Sequence, residues 1–409
     1  MTRRLRIAAI AVLCAATTLL LCEFCVRYLQ DVIPARAGTS YVTDPDCGYT
    51  LRPSLPEEFE ERDDRHVNTL GFRDREHPLA KPAGVRRIVG LGDSFVYGDV
   101  PIAHNFLRLL EAELRDASTN AEVIIAGLPG WDVRNAVGLM RGKGPDLRPD
   151  LAVLCFSVGS DVTGIPIPGA VYQGNLHFVG SQQPLLNLLR KSRLFVLAEQ
   201  LYLVRITNAV RRLQAKARFG GDQAVAAPST KAATDEPPLP PGAPYFAGMW
   251  GEADDPQTRT PCSPDFLRHQ VRNLRLFRES PDAEVESWWA QAEQQLLDFD
   301  AACRAAGADW LLLIAPAEVQ VDPRTRAEIL THAPLPPDSY DFAAPSRRLA
   351  AFADAHGIAW LDPLAELRAT HAEGGTRLYI PNNGHWSVPG NGLMAEMVAN
   401  RISGENLTQ

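Results

Sequence analysis

The sequence predicts an α/β fold, a three-layer doubly wound parallel sheet with helices on both faces. Three observations carry that expectation. From about residue 86 onward, short β-prone runs alternate with stretches of helical spacing. The runs are apolar at consecutive positions rather than at every second one, as strands covered on both faces must be. A chain of 409 residues that is 45% hydrophobic can also bury the core such a layered domain needs.

The elements follow in order. Arg87-Ile88-Val89-Gly90-Leu91 is β-prone and ends in Gly92. His104 to Leu114 carries Phe106, Leu107, Leu109, Leu110 and Leu114 at helical spacing. Val123-Ile124-Ile125-Ala126 and Leu151 to Phe156 supply the second and third strands. Trp310 to Ile314 and Ile358 to Leu361 supply two more, each after a helical stretch, and a last helix runs roughly from Pro389 to Arg401. Two segments break the alternation. Pro184 to Phe219 is apolar at Leu185, Leu188 and Phe195 and basic at Arg190, Lys191 and Arg193, which fits a cap packed on the domain or a helix lying on a membrane. Residues 220–262, dense in Pro, Gly and Ala, predict a disordered or weakly structured loop. The expected organisation is an N-terminal anchor over 1–30, an extended surface lead-in over 31–85, and an α/β domain in two parts, 86–183 and 263–409. The segment 184–262 is the insertion between those parts.

Composition narrows the function. A formal charge of −8, with no long basic run, argues against nucleic acid. Gly90-Leu91-Gly92 lacks the third spaced glycine of a dinucleotide fingerprint, no Gly-Lys-Ser/Thr loop occurs, and no Cys/His cluster has metal-ligand spacing. Neither cofactor nor metal is expected. At the N-terminus Arg3, Arg4 and Arg6 precede Ile7 to Cys22, a mostly apolar run without a charge. No small-x-small cleavage site follows, so the run reads as an uncleaved signal anchor rather than the buried helix of a soluble protein. The arginines would stay cytoplasmic and the rest of the chain would lie outside. In that compartment a Cys47–Cys262 bridge has a place among the seven cysteines, while Cys155 reads as an inert core residue.

Chemistry gathers at two points. Ser94, in Gly92-Asp93-Ser94-Phe95, follows a buried strand, and ligands bind outside the carboxyl ends of such strands. A serine there is a candidate nucleophile if a base reaches it; otherwise it is a helix N-cap. The base candidate is His385, in a polar turn before the last helix. His66, His77, His104, His269 and His371 lie in charged or helical surroundings and read as surface residues. Trp131, Trp250 and Trp386 could stack on a sugar ring, although core packing is the commoner fate of tryptophan.

With these blocks in this order, and with Asn68-Thr69-Leu70-Gly71-Phe72-Arg73-Asp74 ahead of them, the chain resembles the SGNH/GDSL hydrolase superfamily, in a membrane-anchored extracytoplasmic branch related to polysaccharide O-acetyl esterases and transferases. The resemblance covers most of the chain and implies the flavodoxin-like form of the doubly wound sheet. It implies Ser94 as nucleophile and, through its backbone N–H, oxyanion donor. Gly127 would be a second oxyanion donor and His385 the base. Two positions depart from the family pattern. Ser160, in Gly159-Ser160-Asp161, stands where the family has an oxyanion asparagine, and losing one such donor can cost about 10²–10³ in rate. Asn383 and Asn382 stand where an aspartate is expected before the histidine. A Ser94–His385 dyad, a substitute carboxylate such as Asp161 or Asp132, and a weak site are three ways to accommodate that. The function implied is an esterase or acyltransferase for ester-linked acyl groups, plausibly O-acetyl groups of an envelope or secreted polysaccharide. The alternative is a catalytically degenerate scaffold protein in polysaccharide assembly.

Overall fold

In the computed structural model the described residues are 3–32, 41–54, 66–117, 119–163, 170–172, 175–177, 192, 194–195, 249–251, 261–374 and 376–404. The amphipathic segment 184–219 and the proline-rich loop 220–262 expected from the sequence lie almost wholly outside them. The chain falls into two units, one formed by residues 1–42 and 166–239, the other by 43–165 and 240–409.

The first unit contains helix α1 (Arg3–Val32) and an antiparallel hairpin of Ala170–Tyr172 with Asn175–His177. Ile7, Ile10, Leu13, Leu19, Leu20, Leu21 and Phe24 on α1 are exposed. Among the described residues no helix is long and apolar enough to cross a membrane.

The second unit is the α/β domain. Its five strands are β1 (Arg86–Gly92), β2 (Ala121–Gly127), β3 (Leu151–Ser157), β4 (Asp309–Ala315) and β5 (Ala359–Leu361). They lie in the order β2-β1-β3-β4-β5, and every neighbouring pair is parallel. The first two strands wind one way and the next three the other, so the order reverses between β1 and β3. Consecutive residues of β2 and β3 are all buried, which explains their unbroken apolar runs. On one face, Ile88, Val123, Ile125, Val153, Leu311 and Leu313 form a cluster with α3 (Phe106–Asp116) and the last helix (Val388–Gly404). Helices α4 (Val133–Gly142) and α6 (Ala283–Ala306) pack on each other and on the sheet strands.

The lead-in departs from the expected surface strap. Asn68, Phe72, Arg73 and Asp74 are buried. His77, read as a surface residue, has a fully buried side chain between two carboxylates: Nδ1 is 2.8 Å from Glu122 and Nε2 2.9 Å from Asp74. Arg87 completes this network, donating from Nε to Glu122 at 2.7 Å and from its other nitrogens to the carbonyls of Pro78, Leu79 and Leu147. Buried charge is tolerated where it is paired and fully hydrogen-bonded, and this is such a case. Asp74 also accepts the Ile125 N–H of edge strand β2 at 2.8 Å, so the lead-in covers that edge. All seven cysteines are free thiols, with Cys47 buried and bonded to the Tyr49 carbonyl, which replaces the Cys47–Cys262 bridge. Cys155 is buried in β3.

Candidate active site

Ser94 sits where the strand order reverses. β1 ends at Gly92, and a short helix α2 (Ser94–Tyr97) begins at once. The N-cap of this helix is Asp93, whose carboxylate accepts the Phe95 N–H at 2.9 Å. The serine is therefore not consumed as a cap. Its Oγ lies 2.6 Å from His385 Nε2.

His385 comes from a loop closed by a bridge between Tyr379 and Trp386 and by Ile380 N–H donating to the His385 carbonyl at 2.8 Å. Phe95 fixes the imidazole from one side, ring centroids 5.0 Å apart, and Trp386 packs behind on Phe95 and Phe106. Trp386 and Trp131 are thus core residues, the latter donating to the Tyr49 carbonyl; of the three tryptophans considered for sugar stacking, Trp250 alone is exposed.

The far side of the imidazole meets a residue that sequence reasoning missed. His385 Nδ1 is 2.5 Å from Asn383 Oδ1 and 3.1 Å from Asp99 Oδ2, and Asn383 Nδ2 donates to the same Asp99 oxygen at 2.9 Å. The amide can be oriented only one way. Reversed, its NH₂ would face the Nδ1 proton and its oxygen would face a carboxylate. With Nδ1–H donating to these two oxygens, Nε2 is left to accept the Ser94 proton. Asn382, the other position at which an acid was expected, turns away: in a left-handed conformation it accepts the Ser263 N–H at 2.5 Å and donates to the Pro261 carbonyl.

Asp99 is placed by the turn after α2. Gly98, with φ of 73°, ends that helix and reverses the chain. Arg73 then clamps the turn, donating to the Gly98 carbonyl at 2.7 Å and the Val100 carbonyl at 2.8 Å, one on each side of Asp99. Burial alone would raise the Asp99 pKa. The hydrogen bond and positive charge of His385, the Asn383 amide and the Arg73 charge outweigh burial and hold it below the ordinary carboxylate value. Neither carboxylate considered in its place does this. Asp132 caps α4 and is held by Arg134, while Asp161 is buried, accepts the Ser157 N–H at 2.7 Å and is pushed well up by burial and by the Asp93 charge.

Gly127 and Ser160 were the expected oxyanion donors beside Ser94. Gly127 closes directly on α2: a Cβ there would lie 2.3 Å from Val96 Cβ, so only glycine lets β2 approach this turn. Ser160 lies beside the same turn, but its hydroxyl donates to Asp93 Oδ2 at 2.5 Å and its N–H to the Ser157 carbonyl. A hydroxyl has one proton, so Ser160 does not offer a third donor in this arrangement. Helix α5 (Pro264–Asn273) walls the site. Gln270 Nε2 lies 3.9 Å from a Cβ built on Gly384, and Asn273 Nδ2 lies 3.6 Å from one built on Gly159. Among the described residues no cluster of His, Cys, Asp and Glu could hold a metal ion.

No family model matches the chain, and no curated protein matches it. Solved structures do. The acetyl xylan esterase AlAXEase is 12% identical over 78% of this chain and 98% of its own, with a TM-score of 0.36. A catalytic mutant of an acetylxylan esterase from Geobacillus stearothermophilus is 10% identical over 79% and 96%, with a TM-score of 0.36. A lipase/acylhydrolase from Enterococcus faecalis is 13% identical over 78% and 96%, with a TM-score of 0.34. Likenesses this distant carry no functional information.

Proposed function

We propose that this chain is a serine esterase or acyltransferase in which Ser94, His385 and Asp99 form the reacting unit. The observation that supports it is the unbroken run of contacts from Ser94 Oγ through both ring nitrogens of His385 to a carboxylate with a depressed pKa. Ser94 attacks the acyl carbonyl while His385 Nε2 takes its proton, and Asp99 stabilises the imidazolium that forms. The backbone N–H groups of Ser94 and Gly127 hold the oxyanion. Collapse of the tetrahedral intermediate releases the alcohol, which takes the proton back from His385 and leaves an acyl-serine. Water or a second hydroxyl then attacks, His385 accepting its proton; as the bond to Ser94 Oγ breaks, His385 returns that proton to the serine and the acyl group leaves as acid or as a new ester. Asn383 is a positioning residue that spans His385 and Asp99.

The substrate class proposed is an O-acetyl ester of an envelope or secreted polysaccharide. The placement proposed is outside the cytoplasm, with α1 holding the chain at the membrane, although α1 does not meet the length and apolarity of a membrane span. The arginines ahead of Ile7 and the exposed apolar side chains along α1 favour that placement. The test is p-nitrophenyl acetate hydrolysis by the full chain and by Ser94→Ala. Turnover is expected from the first and only background from the second. Equal rates would instead favour the non-catalytic scaffold, the reading suggested by the engaged Ser160 hydroxyl.

A further inference from the structure

One amide beside the site has no partner in the fold. Gln270, on α5, is 9% exposed, and its side chain makes no hydrogen bond among the described residues. The large majority of buried side-chain polar groups are hydrogen-bonded, so an amide left over points to an absent partner. Its surroundings do not seal it off. Gly384 and His385 are half-buried, and the amide borders the open side of the loop they form.

The helix is held so as to present this side chain. Asn382, turned away from the imidazole, accepts the N–H of Ser263, the N-cap of α5, and donates to the Pro261 carbonyl. The head of α5 is thereby tied to the loop that carries His385. Phe266, Gln270 and Asn273 are four and three residues apart and share one face of the helix. Phe266 Cε2 lies 3.4 Å and Gln270 Nε2 3.9 Å from a Cβ built on Gly384, the residue before His385. Gly384, with φ of 83°, has no side chain to fill that space. Asn273, at the other end of the stripe, reaches Gly159, next to Ser160.

The chemistry at Ser94 decides which part of a substrate meets Gln270. The backbone N–H groups of Ser94 and Gly127 take the oxyanion, while the leaving oxygen must face His385, which gives it a proton. Gln270, beside the histidine loop, therefore lies on the alcohol side of the ester. Phe266, Gln270 and Gly384 bear no charge, so the group met there is neutral. A primary amide both donates and accepts, as a hydroxyl does.

We infer that Gln270 is a specificity-determining residue that holds a free hydroxyl next to the acylated oxygen, so that the preferred substrate is an acylated vicinal diol, as in a sugar ring, rather than the ester of a simple alcohol. This rests on the esterase reading of Ser94. The test offers the full chain in detergent three esters: p-nitrophenyl acetate, a singly acetylated methyl glucoside, and the dideoxy analogue of that glucoside without the two neighbouring hydroxyls. Wild type should favour the glucoside over its analogue by about a hundredfold or more in kcat/KM. Gln270→Met keeps the length and loses the amide. It should reduce that preference to about tenfold or less, with a melting temperature no lower than that of wild type, since no bond within the fold is lost. Equal turnover of glucoside and analogue by wild type, with p-nitrophenyl acetate hydrolysed, would overturn the inference and leave the esterase reading standing. A Gln270→Met variant with the wild-type preference would do the same. Turnover of all three esters no faster than by Ser94→Ala would overturn the esterase reading and this inference with it.

Discussion

At the residue scale, the acid of the site is Asp99, and this changes what the two asparagines mean. Asn383 does not stand in for a missing charge; it aligns the imidazole with a charge that arrives from the serine's own loop. Asp99→Asn is therefore expected to lower kcat by roughly 10²–10⁴. The same variant has a signature in stability. Because the folded-state pKa of Asp99 is depressed, its contribution is fully present above the unfolded-state value, about 4, and is lost as pH falls through the lower folded-state value. The difference in urea-unfolding free energy between wild type and Asp99→Asn should shrink below about pH 4. A difference that stays constant down to acid pH would contradict the assigned ion pair. Ser94 and His385 were legible in the sequence because each sits in a short distinctive string. Asp99 was not, because Gly98 and a guanidinium contributed from residue 73 bring it to the ring. Gly98 adjoins Asp99, but nothing local to residue 99 announces the guanidinium.

Elements were legible in proportion to how completely they are buried. β1 to β4 are apolar along their central residues, and the expected runs fall within the observed strands. The lead-in misled for the opposite reason. Its Asp, Arg, Glu and His residues look solvent-facing one at a time, yet Asp74 and His77 are buried, paired with each other and with Arg108, Glu122 and the backbone of edge strand β2. Arg87 is the buried centre of that arrangement, with three carbonyls and Glu122 as partners. Arg87→Met should destabilise the domain by about 3–5 kcal/mol in urea unfolding, since it strands Glu122 and the carbonyls. A cost below about 1 kcal/mol would mean that the network is dispensable.

For the whole molecule, the parallel alternation was readable but the order β2-β1-β3-β4-β5 was not, because periodicity says which segments are strands and nothing of which are neighbours. That order matters: the reversal between β1 and β3 opens the sheet edge where Ser94, Gly127 and the Ser157–Asp161 turn converge. Placement of the domain outside the cytoplasm is tested by a C-terminal alkaline phosphatase fusion. The fusion should be active in intact cells, and an inactive fusion made in normal amounts would refute the anchor.

The central claim is that Ser94 is activated through His385 by Asp99. It is tested most directly by the rate of covalent labelling with a fluorophosphonate probe, with the modified peptide identified by mass spectrometry. The expected adduct is on Ser94, absent in Ser94→Ala and formed about a hundredfold or more slowly in Asp99→Asn. Asn383→Asp should not label faster than wild type, because a second carboxylate beside Asp99 would take up a proton rather than add a charge. Labelling of the wild type no faster than of Ser94→Ala, or an Asp99→Asn variant that labels at the wild-type rate, would contradict it.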